Sequence, residues 1–566
     1  MSVLSERDRA EAGVVTAHQA GHDFELQLGH LCNNRCVFCS SGQLTELGIA
    51  RHIPLEPILG ALEAARAAGA RKVTFLGGEP TLHKGLPRAL ARSVELGFEQ
   101  VVIFTNGVLF PKPGFLEELC GLGRFEWRVS IQGGDEATHV AVTGRADSFR
   151  RIVIGLARLR ALGQRVTVNV CANELSHASL PGYASLIREH GISQLHVDVV
   201  RPASTGERSA DHLRAILPRY VAMAPNVAAL LASIDRDDPA FDVNVGNLPF
   251  CVLPEWGHRI HHGGDETITQ PCDATDLTAS VDKYAWHGSL RRHLPACDGC
   301  VFLPDCAGVF SEYLEIHGGA EFAAVSRERL LALDPERRQL VRLVEPWLGE
   351  LVAAIGAGAL GPGWRVDGVA RDTRAASVEL RLGWAGRGAT LRVVPPGRAG
   401  PETLVVTSLA AIGLGGAATA PPADLAALCE ALVGWCVSAE GGDVVEQRAV
   451  APVVARAVAS AGRADPAIGL WRLAARLQAR RQLGEFAWAG ARAREGRVVV
   501  TFREASRAEF DIELRWVRRG ARARPWADFR IRAPGREAAA EAAVLEAIGA
   551  LREGGAGRAA AGRLLG

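Results

Sequence analysis

Three cysteines, Cys32, Cys36 and Cys39, fall within L-C-N-N-R-C-V-F-C-S, the stretch from Leu31 to Ser40, spaced C-x3-C-x2-C. Thiolates are soft ligands suited to iron–sulfur clusters and to zinc. Three of them close together can hold three irons of a four-iron cube and leave the fourth open. An open metal position is what separates a reactive site from a structural one. On spacing alone, a zinc knuckle or three unrelated buried thiols are the alternatives. A second group lies downstream: Cys251, Cys272, and then Cys297, Cys300 and Cys306, the last three spaced C-x2-C-x5-C. The chain has 12 cysteines, most of them clustered, and its N-terminus lacks the apolar core of a secretory signal. That combination argues for metal binding over disulfides. Cys120, Cys171, Cys429 and Cys436 sit in apolar stretches and read as core packing.

These groups need elements to position them. The alternating segment Phe24 to Leu28 suits a strand running into the first cysteine loop. From Phe24 to about Arg201, short apolar strands alternate with amphipathic helices. Further strands are expected at 72–76, 101–104, 127–131, 166–170 and 195–200. Helix faces are marked by Leu55, Ile58, Leu59 and Leu62 and by Phe149, Ile152, Val153, Leu156 and Leu159. Six such units predict an α/β fold, a parallel sheet curled into a partial (βα)6 barrel. In parallel α/β folds chemistry gathers at the carboxyl ends of strands. There the chain places Gly77-Gly78-Glu79-Pro80, Thr105-Asn106-Gly107, Ser130 to Gly133, Asn169, and Asp198 with Arg201. The glycines would let backbone approach a ligand closely, and the carboxylate beside them can accept hydrogen bonds from an ammonium.

The cysteine spacing, with Phe38 before the last thiol and G-G-E-P about 40 residues later, resembles the signature of the radical S-adenosylmethionine (SAM) superfamily. The resemblance implies that Cys32, Cys36 and Cys39 hold a [4Fe–4S] cluster whose open iron chelates SAM. An electron from the cluster would cleave SAM to methionine and a 5′-deoxyadenosyl radical, which takes hydrogen from a substrate. Gly77, Gly78, Glu79 and Pro80 would bind the amino group of SAM, with Ser130 and Asn169 as further cofactor contacts. Thr105-Asn106-Gly107 is similar to the family's T-N-G. His139, Thr143-Gly144 and Ser148-Phe149 resemble a stretch common in members with an extra cluster and are read as fold markers. The second cysteine group resembles the SPASM/twitch auxiliary domain, but incompletely. Cys306 runs into Ala307-Gly308-Val309-Phe310 without the further cysteine, and position 267 is Thr. The implied complement is one auxiliary [4Fe–4S] cluster, held by Cys297, Cys300, Cys306 and one of Cys251 or Cys272, with a structural zinc as the alternative.

At 566 residues, 48% hydrophobic and 22% charged, the chain suits several globular domains. A formal charge of +1 gives no whole-chain argument for nucleic acid or membrane. Only four residues are Lys against abundant Arg, which weakens arginine clusters as evidence. The apolar run Leu404 to Ala420 is broken by glycines and ends at Pro421-Pro422, so it reads as strand and loop. The expected division is an N-terminal extension (1–22), the barrel (23–208), an auxiliary cluster domain (209–330), and two α+β repeats (338–447 and 465–555) offset by roughly 122 residues. The second repeat is basic, roughly +10 over residues 451–566, and reads as a solvated face. The expected activity is radical hydrogen abstraction from a peptide or protein side chain, as in maturases. A small metabolite or cofactor precursor is the other substrate class; RNA modification and a non-catalytic iron–sulfur binding role are the remaining alternatives. The expected partners are a peptide or small-molecule substrate and a low-potential electron donor of the flavodoxin or ferredoxin type. Neither membrane nor nucleic acid is expected, and the expected location is the cytoplasm.

Overall fold

The computed structural model describes residues 23–566 except 203–208, 265, 274, 362, 416–417, 440–443, 461–469, 471–472, 475, 479, 495–496, 505–508, 520–521, 533–541, 549–562 and 566. The expected extension 1–22 lies outside the described residues. The chain forms two compact units, Met1–Leu330 and Leu331–Gly566.

In the first unit, parallel strands alternate with helices in chain order. They are β1 (Asp23–Gln27), β2 (Lys72–Leu76), β3 (Gln100–Thr105), β4 (Glu126–Ser130), β5 (Arg165–Ala172) and β6 (Gln194–Val199). Each pairs in parallel with the next. Four strands were not expected: β7 (Asp242–Gly246), β8 (Ile260–His261), β9 (Thr267–Gln270) and β10 (Val281–Asp282). β7 and β8 continue the parallel sheet beyond β6, β9 joins the free edge of β1, and β10 pairs antiparallel with β9. β8, β9 and β10 are two to four residues long, too short for a hydrophobic period to reveal.

The strands are two-faced, which fixes where chemistry can occur. On one face Phe24, Leu26, Val73, Phe75, Trp127, Val129, Val168 and Val170 are buried beneath the helices. The other face is polar and paired across strands. Lys72 Nζ donates to Asp23 Oδ2 at 2.7 Å, and Gln100 Nε2 to Glu126 Oε2 at 2.8 Å. Gln194 Nε2 donates to Asp242 Oδ2 at 2.8 Å, and Asn169 Nδ2 to Asp198 Oδ2 at 2.8 Å. Parallel strands covered on both sides are usually apolar throughout. A polar inner face therefore marks an interior built around something other than core packing.

Two helices, Ala210–Ile216 and Tyr220–Asp237, follow β6. The chain breaks between them at Pro218, whereas Pro225 lies inside the second helix. Burial of Tyr220, Met223, Val227 and Leu230 on the same face offsets the roughly 3 kcal/mol that an internal proline costs. By length and composition the stretch Asp211–Asp237 could cross a membrane, yet these residues pack into the unit's own core.

The second unit holds two six-stranded sheets. The first contains β13 (Arg365–Asp372), β14 (Ser377–Trp384), β15 (Arg387–Val394), β16 (Thr403–Thr407), β17 (Ala411–Gly415) and β18 (Val444–Gln447), in the order β13-β14-β15-β17-β16-β18. The apolar run from Leu404 thus makes two paired strands where one strand and a loop were expected. The second sheet runs in order from β19 (Gln482–Leu483) to β24 (Arg563–Leu565), with β20 (Phe486–Arg494), β21 (Arg497–Arg503), β22 (Glu509–Arg519) and β23 (Arg522–Arg532) as its antiparallel centre. The register slips between Val366 and Gly368 in the first sheet and between Trp488 and Gly490 in the second. Helices flanking the second repeat, expected by analogy with the first at 470–483 and 537–551, lie partly outside the described residues, and 482–483 forms the strand β19.

Candidate iron–sulfur and cofactor site

β1 feeds directly into the first cysteine loop, and the loop is pinned from several directions. Arg35 N donates to Thr143 O at 2.8 Å and Val37 N to Val142 O at 3.0 Å. The residues read as fold markers therefore carry the cysteine loop on the helix Glu136–Thr143. Arg35 Nη1 donates to Cys32 O at 2.9 Å, Arg145 Nη1 reaches Asn33 O at 3.3 Å, and a His212 ring nitrogen lies 2.7 Å from Val37 O. His139 is fully buried, with its Nδ1 accepting from Gln132 N at 3.0 Å; burial alone pushes its pKa down to about 4.

The Gly77-Gly78-Glu79-Pro80 turn at the end of β2 is bonded to the approach to that loop. Gly78 N donates to Gly29 O at 2.7 Å and Glu79 N to Leu31 O at 2.9 Å. A Cβ on Gly78 would stand 2.4 Å from both His30 O and Leu31 O, and one on Gly77, at φ +142°, 2.5 Å from Gly29 O. The glycines were expected to admit a ligand. In the structure what comes close is the chain itself, the backbone just before Cys32.

Glu79 also differs from expectation. Its carboxylate is 2% exposed. Oε1 accepts from Thr81 N (3.0 Å), Thr81 Oγ1 (2.6 Å) and Thr105 Oγ1 (2.6 Å), and Oε2 accepts from Asn106 N (2.7 Å). Burial raises its pKa, and these donors pull the other way. The side chain is committed to joining the Gly77–Pro80 turn to Thr105-Asn106-Gly107, so it is not presented to an ammonium. Pro80 opens the short turn Pro80–Leu82, which Glu79 caps. Asn106, expected only as part of a loop motif, continues the chain of contacts: its Nδ2 donates to Asn33 Oδ1 at 2.6 Å and lies 3.7 Å from Cys32 Sγ. Asn34 N lies 3.5 Å from the same sulfur. N–H groups aimed at a thiol sulfur suit a thiolate bound to metal. Without metal, burial holds Cys32 up at about 12 and raises Cys36 as well, so cluster assembly must release protons.

The polar inner face meets this loop. Ser130, at the end of β4, and Asn169, three residues before the end of β5, are register partners. Cys171, expected as core packing, is half-buried on the same side of β5 as Asn169 and interacts electrostatically with Cys39 and Cys36, and with Asp198 and Arg201. Its position follows from the two-residue period of the strand, which the apolar neighbours Val168 and Val170 obscure in the sequence. His196 Nδ1 lies 3.1 Å from Asn244 Oδ1, and burial drives its pKa down to about 3. Lys283 Nζ, on the helix after β10, pairs with Glu25 Oε1 on β1 at 2.7 Å. Glu25, His196, Asp198 and Lys283, which share this region, are half-buried.

Four of the downstream cysteines form one neighbourhood. Cys251 interacts electrostatically with Cys306, Cys300 and Cys297, and Cys306 with Cys297 and Cys300. Phe250, next to Cys251, stacks on Phe302 with centroids 5.0 Å apart. Cys272 stands elsewhere: its Sγ is 3.4 Å from Gln27 Oε1, and its carbonyl meets His30 at 3.1 Å. It packs at the end of β1, and its place beside β9 separates it from the other four. Among the described residues no three His, Cys, Asp or Glu side chains converge tightly enough for one metal ion.

Residues 26–173 match the family model described as Radical SAM superfamily. Curated relatives include the probable GTP 3′,8-cyclase of Saccharolobus solfataricus, 29% identical over 198 residues, which cover 34% of this chain and 63% of the relative. That of Sulfurisphaera tokodaii is 25% identical over 192 residues, covering 34% and 59%. The chain thus spans less than two thirds of these relatives. Among solved structures, Streptococcus suis SuiB bound to S-adenosylmethionine has a TM-score of 0.39 at 16% identity, covering 56% of this chain and 79% of that one. The native anSMEcpe with bound AdoMet and Cp18Cys peptide has a TM-score of 0.36 at 13% identity, covering 59% and 99%. Likenesses this distant carry nothing about substrate. Residues 26–173 are thus a radical SAM domain, and the cofactors of that family are a [4Fe–4S] cluster and S-adenosylmethionine.

Proposed function

We propose that the protein holds a [4Fe–4S] cluster on Cys32, Cys36 and Cys39, takes SAM beside the Gly77–Pro80 turn, and abstracts hydrogen from a substrate on the polar inner face of the sheet. The observation that carries this is the direct bonding of Gly78 N and Glu79 N to Gly29 O and Leu31 O, immediately before Cys32. When bound, the cluster supplies the electron that cleaves SAM and the open iron that holds it. The chain's own part is positional. Glu79 and Asn106 tie the ends of β2 and β3 to the cysteine loop that follows β1, while Ser130 and Asn169 offer polar contacts at one register level.

Cys251, Cys297, Cys300 and Cys306 are proposed to hold a second [4Fe–4S] cluster within an auxiliary domain spanning residues 209–330. With four thiolates such a cluster is closed and serves electron transfer, by analogy with closed metal sites. The depth and charge of the inner face support a compact polar substrate, a small metabolite or cofactor precursor. A peptide fits the same face when a single polar side chain enters it. The electron donor would be a low-potential flavodoxin or ferredoxin. The two sheets of the second unit are proposed as tandem copies with a docking role, supported by register slips in corresponding strands.

The test is anaerobic incubation with SAM and a strong reductant after reconstitution. Expected are about eight irons per chain and formation of 5′-deoxyadenosine. With both clusters intact, absence of 5′-deoxyadenosine rules the proposal out.

A further inference from the structure

Arg291 opens the short strand β11 (Arg291–Arg292) and is 9% exposed. Its guanidinium lies 4.2 Å from the Phe310 ring centroid, and Nη2 donates to Asn247 Oδ1 at 2.6 Å. Nε and Nη1 are buried with no hydrogen-bond partner, and no carboxylate pairs with Arg291 among the described residues. The Tyr220 hydroxyl, on a side chain with no exposed surface, is likewise buried and unpartnered. Tyr220 and Arg291 interact electrostatically, and Arg291 also feels the Arg201 guanidinium. Arg201 follows β6 and is half-buried; its one partner among the described residues is the ring of His287. Glu321, which accepts from Val221 N and the Tyr313 hydroxyl, and Glu312 lie near Tyr220.

A buried arginine such as Arg291, with no carboxylate partner among the described residues, is costly, because an unpaired buried charge forfeits its hydration. The half-buried Arg201 adds a like charge within electrostatic range. An unpartnered phenolic O–H beside them adds to that cost. Burial keeps the Tyr220 proton on, so its hydroxyl is a donor. The open groups of Arg291 and Tyr220 are therefore all donors, a set that suits planar or tetrahedral oxyanions. Its place adds a direction: Arg201 lies within electrostatic range of Cys171, which neighbours Cys36 and Cys39, and Arg291 within that of Cys306.

We propose that Arg291, Tyr220 and Arg201 form a binding site for an oxyanion, a carboxylate or a phosphate, carried by the substrate between the two cysteine groups. The inference rests on the radical SAM reading only for the word substrate; the anion site stands on its own donors.

The test is calorimetric titration of the reconstituted full chain at low ionic strength with inorganic phosphate and, separately, with acetate. One anion should bind per chain, and Tyr220→Phe and Arg201→Gln should each weaken it by about tenfold, as expected for a hydrogen bond to a charged group. Tyr220→Phe keeps the ring stacked on Tyr313 and removes only an unpartnered hydroxyl, so its melting temperature should equal or exceed that of the wild type. Tighter phosphate binding assigns a phosphorylated substrate, and tighter acetate binding a carboxylate. No binding of either anion, or binding that both variants leave unchanged, overturns the proposal. Formation of 5′-deoxyadenosine by the same preparation is read separately, so failure of SAM cleavage and failure of the anion site are distinct results.

Discussion

Replacing Gly78 with alanine tests the contact on which the site depends. The added Cβ would lie 2.4 Å from His30 O and Leu31 O and 2.6 Å from His30 C. All three are backbone atoms, so no side chain can swing away, and the turn must withdraw by most of an ångström. Withdrawal breaks the hydrogen bonds Gly78 N to Gly29 O (2.7 Å) and Glu79 N to Leu31 O (2.9 Å). Each buried amide left unpaired costs roughly 1–3 kcal/mol, and overpacking adds about 1–3 more. A loss of about 4 kcal/mol follows, which in a unit of this size lowers its melting transition by about 10 °C. Because the displaced carbonyls directly precede Cys32, iron should fall from about eight to about four per chain. The control is Gly60→Ala, within the helix Leu55–Ala67, where an added Cβ meets nothing within 4 Å. It should raise stability by about 0.5–1 kcal/mol and leave iron unchanged. Calorimetric melting with iron analysis decides the matter. A Gly78→Ala protein that melts and binds iron like the wild type would show that the turn does not position the cysteine loop.

Three further outcomes are expected. Cys251→Ala should lose about half of the reconstituted iron, whereas Cys272→Ala should keep all of it; equal losses would contradict the grouping of Cys251 with Cys297, Cys300 and Cys306. His139 has a folded pKa of about 4, below the unfolded value, so its neutral form is the one the fold favours. Stability is complete above about pH 6.5 and is lost toward pH 4, roughly 3 kcal/mol from this residue. Denaturant melts of His139→Asn should show a correspondingly smaller acid loss, and an unchanged loss would refute the assignment. Asn106→Ala removes an amide directed at Cys32 Sγ, so the first cluster's reduction potential should become more negative in a redox titration followed by electron paramagnetic resonance. A potential identical to that of the wild type would remove Asn106 from the sulfur's environment.

What the sequence determined by itself is what repeats locally. The C-x3-C-x2-C loop, the glycine–glutamate turn and the alternation of apolar strands with amphipathic helices are written in neighbouring residues, because strand and helix periods are local. Six parallel strands and their order followed from that pattern. Tertiary structure alone decided which groups meet. Glu79 looked like a free carboxylate until folding brought Thr105 and Asn106, from the next strand end, within 2.7 Å of it. Cys272 and Cys251 are equivalent in sequence, but β9 carries the first to the end of β1. The polar inner face, Cys171 included, arises from pairing one residue from each strand across the sheet, and no single strand announces it. Arg291 and Tyr220, 71 positions apart in the chain, share a buried neighbourhood for the same reason: burial and partnership are properties of packing, and packing joins residues that sequence distance keeps apart.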